Sequence, residues 1–317
     1  MSAPTPQVGL LVPPDVLAQP HERRRQYLDR AVDAGIDHLA VGDHVSFHVG
    51  AGFDGLIQAT ALLAAEPRLP VTVAVYLLAL RHPVTVARSL ASISELAPGR
   101  LTLGVGIGGE DRHEIELCGV DPSTRGRRTD EALQILRSLA SGERIDHHGT
   151  HFDLTSAQIV PAVDPPTPLV VGGRSAAALE RTARYGDGWL AIWVSPARLS
   201  AAVGQIAELA AATGRHDPPT RHQMNVWCGF GPTTDAARAA VAPSMELLYA
   251  TPFDAFDRYV PQGTPLQVAE RLAELADAGA TAFNLIVPDD EPLRAVEHVG
   301  RVAQHLREHL RSASVAV

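Results

Sequence analysis

Eight short apolar runs, each followed by a stretch of helical periodicity, constrain this 317-residue chain more than any other feature. They occupy residues 8–12, 38–41, 71–78, 101–105, 169–171, 189–194, 222–228 and 283–287. The patterns between them carry helix punctuation. Residues 23–34 space Tyr27, Leu28, Ala31 and Val32 along one face and stop at Gly35. Pro83 opens another helix, with Val84, Ala87, Leu90, Ile93 and Leu96 as its apolar stripe and Pro98 and Gly99 at its end. Eight strands alternating with helices over more than about 250 residues is the count of an α/β protein of the (β/α)8 TIM-barrel class. A doubly wound sheet would place its glycine loop after the first strand, and here it follows the fourth. No composition break marks a linker, so residues 1–317 read as a single domain. Two segments exceed an ordinary connection. Residues 106–128 read as an insertion over the C-terminal mouth, and 147–168 as irregular and proline-rich.

The fourth strand runs into a glycine loop, RLTLGVGIGGE over residues 100–110. Gly106, Gly108 and Gly109 leave no Cβ where a flat ligand would approach the backbone. Glu110 follows at the strand's C-terminal end, where α/β enzymes keep their chemistry. The spacing Gly104-x-Gly106-x-x-Gly109 formally matches a dinucleotide fingerprint. That motif requires an apolar-faced helix directly after it, and the polar Asp111, Arg112, His113 and Glu114 stand there instead.

Barrel topology gathers the residues after each strand at one mouth: Asp43 and His44, residues 106–110 and 172–175, and Trp193. His44 and Glu110 make a suitable acid/base pair, because histidine titrates near neutrality and burial can raise a carboxyl. The same residues also read as a histidine bonded to loop backbone and a solvated loop charge. Gly172, Gly173, Arg174 and Ser175 open a helix, where N–H groups, the dipole and an arginine together favour a phosphate. Ser175 equally reads as a plain N-cap. The close histidines (His44 with His48, His305 with His309, and His147, His148 and His151) lack a zincin pattern, and no metal is expected.

Composition removes whole classes of chemistry. All 27 basic residues are arginine, so lysine Schiff bases, pyridoxal phosphate anchoring and P-loops are excluded. A net charge of −9 argues against general nucleic-acid binding. No run of about 20 apolar residues suggests a membrane span. Residues 1–6 lack signal-peptide features, and the isolated Cys118 and Cys228 fit a reducing cytoplasm.

Five stretches complete the pattern in order along residues 8–190: Val41-Gly42-Asp43-His44, Leu80-Arg81-His82-Pro83, the strand at 100–106, Arg127-Arg128 with Glu131, and 169–173 followed by Tyr185-Gly186-Asp187-Gly188-Trp189. Together they resemble the luciferase-like flavin and deazaflavin oxidoreductases, while the C-terminal third matches only as barrel pattern. The lysine-free, alanine- and arginine-rich composition looks more like the coenzyme F420 branch than the FMN monooxygenases. The resemblance implies a deazaflavin ring in the mouth and its phosphate near residues 172–175. It places Asp43, His44 and Glu110 beside ring and substrate. A non-proline cis peptide forming a bulge behind the ring is implied at Val73-Ala74-Val75.

The implied catalytic residues are therefore His44 and Glu110. The implied cofactor-binding set is Asp43, Ala74, Val75, Gly106, Gly108, Gly109, Gly172, Gly173, Arg174 and Ser175. Hydride transfer between coenzyme F420 and a small-molecule substrate, in a homodimer, is the implied activity. An FMN-dependent monooxygenase with a separate reductase, or a degenerate barrel without turnover, are the alternatives. His48 stands where dehydrogenase relatives place a tryptophan, and no lysine serves a sugar-phosphate pocket; both weigh against a glucose phosphate substrate.

Overall fold

A computed structural model of the chain describes residues 5–48, 50–109 and 111–315. The first four strands are β1 (Gln7–Leu11), β2 (His38–Val41), β3 (Val71–Leu77) and β4 (Leu101–Gly106). A short pair follows, β5 (Ile145–His148) and β6 (Asp153–Ala157), then β7 (Leu169–Gly172), β8 (Gly188–Ile192) and β9 (Gln223–Trp227). Another short pair, β10 (Gly229–Phe230) and β11 (Gln262–Gly263), precedes β12 (Ala282–Ile286). The eight long-range strands close a parallel barrel in the order β1-β12-β9-β8-β7-β4-β3-β2. All eight coincide with the apolar runs in the sequence. β2 and β7 are buried at every residue, as parallel strands covered on both faces must be.

The helices begin with α1 (Pro14–Ala18), α2 (His21–Asp33), α3 (Gly55–Ala65) and α4 (Pro83–Leu96). Next come α5 (Arg112–Leu117), α6 (Arg125–Leu139), α7 (Ala176–Tyr185) and α8 (Pro196–Ala212). The last three are α9 (Thr234–Tyr249), α10 (Pro265–Asp277) and α11 (Pro292–Val315). Chain contacts gather into two compact units. One holds the described residues up to Ala40, with Trp189–Glu208 and those from Thr220 on; the other holds Val41–Gly188 and Leu209–Pro219.

Three local expectations change. The buried face of α4 is Pro83, Val86, Ala87, Leu90, Ala91, Ile93 and Ser94, and Leu96 is 70% exposed. Strict spacing by three drifts around a helix of 3.6 residues per turn, so its last member leaves the buried face. Residues 147–168 are not wholly irregular, because β5 and β6 pair as an antiparallel hairpin. The 106–128 segment holds α5, capped by Asp111, and α6 begins at Arg125, well before Ala132, the first apolar position of its buried face.

In the unit that contains β1, a polar chain runs through the barrel strands. His38 Nε2 lies 2.7 Å from Asn284 Oδ1, and Asn284 Nδ2 donates to Asn225 Oδ1 at 2.9 Å. The His38 ring fills the space beside Gly9, where a Cβ would come within 2.2 Å of it. Burial holds the His38 pKa below its usual 6.5, against the opposing hydrogen bond from Asn284.

Candidate active site

The candidate site residues follow β2, β3, β4 and β7 in the other unit. Asp43, two residues past β2, is buried and accepts four hydrogen bonds. Its Oδ1 receives Gly55 N–H at 2.9 Å and Arg81 Nη2 at 2.8 Å. Its Oδ2 receives Leu77 N–H at 2.8 Å and Arg81 Nη1 at 2.7 Å. A carboxylate has about four in-plane acceptor positions, and here all are taken. Asp43 therefore holds the backbone at Gly55 and Leu77 in place. Arg81 also donates to Asp54, the N-cap of α3, and lies 4.3 Å over the Tyr76 ring. One guanidinium thus joins the ends of β2 and β3 to the start of α3. Burial pushes the Asp43 carboxyl up, against the pull of Arg81 and the two backbone N–H groups.

His44 meets a carboxylate from α5. Its Nδ1 lies 3.1 and 3.3 Å from the two oxygens of Glu114, a buried residue on α5. Glu114 Oε1 also accepts Val45 N–H at 2.6 Å and Ser46 N–H at 3.0 Å. The Phe47 ring sits 4.2 Å from the imidazole and tilts 34° to it. Asp111 completes the clasp: Oδ1 caps α5 at His113 and Glu114, and Oδ2 accepts His48 N–H at 2.6 Å. That His48 bond, ahead of the caps, holds the Asp111 carboxyl below its usual range. Glu110 lies outside the described residues.

Strand β3 carries the irregularity placed at Val73-Ala74-Val75. The Ala74–Val75 peptide is cis, and the register with β4 shifts between Val73 and Tyr76. Gly106 proves to make room for protein: a Cβ there would meet Val75 Cγ2 at 2.4 Å. Gly108 and Gly109 take φ of +70° and +144°, so the loop's path depends on them. At β7, Gly172 ends the strand and Gly173 turns with φ +112°. Ser175 is the N-cap of α7, its side chain accepting Ala178 N–H at 3.3 Å, while Arg174 is exposed. Trp193, in the unit of β1, packs on Tyr249 and Phe256. Among the described residues no group of three or more His, Cys, Asp or Glu is arranged to hold a metal.

The arrangement offers an imidazole with one nitrogen tied to a buried carboxylate, a glycine loop, and a capped helix start suited to an anion. Sequence reasoning missed Glu114 and Arg81 as site residues. Arg81 did stand in the Leu80-Arg81-His82-Pro83 motif, whereas Glu114 had no signal of its own beyond Asp111 three residues before it.

Residues 6–261 match the luciferase-like monooxygenase family. The chain belongs to that family. It is 31% identical over 285 residues to an F420-dependent glucose-6-phosphate dehydrogenase of Beutenbergia cavernae, covering 87% of this chain and 81% of the other. It is 33% identical over 170 residues, 54% of its length, to uncharacterised proteins of Mycobacterium tuberculosis and Mycobacterium bovis, and spans 58% of theirs. An F420-dependent secondary alcohol dehydrogenase, solved with an F420-acetone adduct, shares the fold with a TM-score of 0.82. That likeness covers 96% of this chain and 99% of the other at 20% identity. No helix among the described residues is long and apolar enough to cross a membrane.

Proposed function

We propose that this luciferase-like protein is a coenzyme F420-dependent oxidoreductase acting on a small organic substrate. The observation that carries the reading is His44, placed directly after β2 with its Nδ1 anchored to buried Glu114. An imidazole so held is a proton carrier of fixed orientation, and family relatives named for F420-dependent dehydrogenation support the cofactor. When bound, the deazaflavin supplies hydride transfer.

The residues present fit such a group. Gly172, Gly173 and Ser175 form the opening of α7, where backbone N–H groups and the dipole favour a phosphate. Ala74 and Val75, at the bulge of β3, with Gly106, Gly108 and Gly109, would border a planar ring. Asp43, through Leu77 and Gly55, holds the backbone of that border in place, and His44 holds or releases the substrate proton at Nε2. Glu110 is kept as a second proton-handling candidate.

The test is a fluorescence titration with oxidised F420 and, separately, with FMN. F420 is expected to bind at least about tenfold tighter, a difference of ~1.4 kcal/mol, and to be reduced or oxidised in a screen of alcohols and enones. Preferential FMN binding with oxygen consumption would replace this reading with a monooxygenase. Binding of neither would leave a barrel without turnover.

A further inference from the structure

The polar segment between β4 and α6 has a task that its sequence did not announce. We infer that α5 is a positioning clasp, in which Glu114 fixes His44 as the Nδ1–H tautomer and so makes Nε2 the working nitrogen. This deepens the proposed function and rests on His44 being its proton carrier.

Two backbone N–H groups, from Val45 and Ser46, and the ring nitrogen Nδ1 of His44 converge on the Glu114 carboxylate. An ionised carboxylate only accepts, so a hydrogen on Nδ1 is required to satisfy the contact. The neutral ring then has its lone pair on Nε2, the nitrogen that the clasp does not hold. The Phe47 ring fixes the imidazole plane from a second direction. The helix is steered as well as steering. Asp111 caps its first turn with one oxygen and grips His48 N–H with the other, so two carboxylates of one segment hold residues 45–48 by their backbone. A helix of six residues has little stability alone, and these bonds couple its folding to the histidine loop.

The division of labour between the two Glu114 oxygens makes a sharp test. Oε1 receives both loop amides, while the shortest contact to His44 Nδ1 comes from Oε2. In E114Q the carbonyl oxygen keeps the amides and the NH2 group faces Nδ1. A donor there demands a bare Nδ1 and moves the proton to Nε2. In catalytic triads this carboxylate-to-amide exchange imposes the wrong tautomer and costs on the order of 10⁴ in kcat.

The experiment is ¹⁵N NMR of histidine-labelled full-length protein, with the His44 signals assigned by H44Q and read at several pH values. The neighbouring charged groups are Asp43, next to His44 in the chain and paired with Arg81, and the His48–Asp111 pair, while Cys118 senses Arg81, Glu114 and Asp43. A D111N control therefore accompanies each profile. Wild type is expected to show the Nδ1–H form at high pH, and E114Q the Nε2–H form. F420-linked kcat should fall about 10²-fold or more in E114Q, with the substrate KM changed less than threefold, and E114D should restore part of it. D111N should loosen the loop and raise KM while leaving the tautomer unchanged. An Nε2–H ring in wild type, or an E114Q protein with unchanged tautomer and kcat, would overturn the inference. The tautomer is read without turnover, so an inactive wild type with the Nδ1–H ring would sink the cofactor reading alone. If E114Q fails to fold by circular dichroism, E114D decides, since a shorter carboxylate must keep the Nδ1–H form.

Discussion

Two histidines flank β2, and their settings differ in nearly every physical respect. His38 opens the strand, is 4% exposed, and meets a neutral amide, Asn284. His44 lies three residues past its end, has a side chain 35% exposed, and meets a carboxylate, Glu114. Burial beside an amide keeps His38 neutral and ties barrel strands together. A carboxylate partner holds His44 in one orientation while its side chain keeps access to solvent. The residue type is the same; the end of the strand and the partner set the task, as barrel enzymes keep chemistry at the C-terminal ends of strands and stability at the other.

The comparison breaks first at His44. H44A should lower F420-linked kcat by about 10²–10⁴-fold, measured at saturating cofactor, with the urea midpoint nearly unmoved. Retention of turnover in H44A would erase the distinction. H38A should do the reverse. Loss of the ring leaves Asn284 Oδ1 without its donor, at a cost of about 1–3 kcal/mol before any cavity term, read by urea denaturation, while activity per folded molecule stays near wild type. G9A probes the same place from the other side, since its Cβ would displace the ring.

The pH dependence of stability sharpens the contrast. His38 has its folded pKa lowered by burial, so its contribution is fully present above the unfolded value of 6.5 and is lost as pH falls below it. Within that window the unfolded chain takes up a proton that the folded protein refuses. Stability should fall by up to about 1.4 kcal/mol per pH unit below 6.5, and H38Q should flatten the slope. A residual slope is expected from His298, which burial also holds low. The smallest effect is at α7. S175A should cost about 1 kcal/mol through loss of the N-cap, and a weakened F420 affinity in the same variant would extend the residue's role beyond capping.

Much of the fold was legible because its signals are local. Each barrel strand is a short apolar run, and several helix boundaries carry a Pro, Gly or Ser, as at Pro83, Gly99 and Ser175. The hairpin of β5 and β6 was hidden, since its residues are mostly polar and exposed, so no apolar alternation marked it. Position alone singled out Asp43 and His44 as candidates, and the family resemblance pointed to the irregularity found in β3. Their partners were not. Glu114 lies 70 residues from His44, and Arg81 lies 38 from Asp43.

The sequence by itself determined an eight-stranded α/β barrel, ruled out lysine-based chemistry, and put a histidine after the second strand. Periodicity and composition are properties of near neighbours, and they survive without coordinates. Only the tertiary structure decided that Glu114 holds His44, that Asp43 is saturated by Arg81 and two amides, and that the gap at Gly106 is filled by Val75. Those are matters of ångström-scale packing between segments distant in sequence.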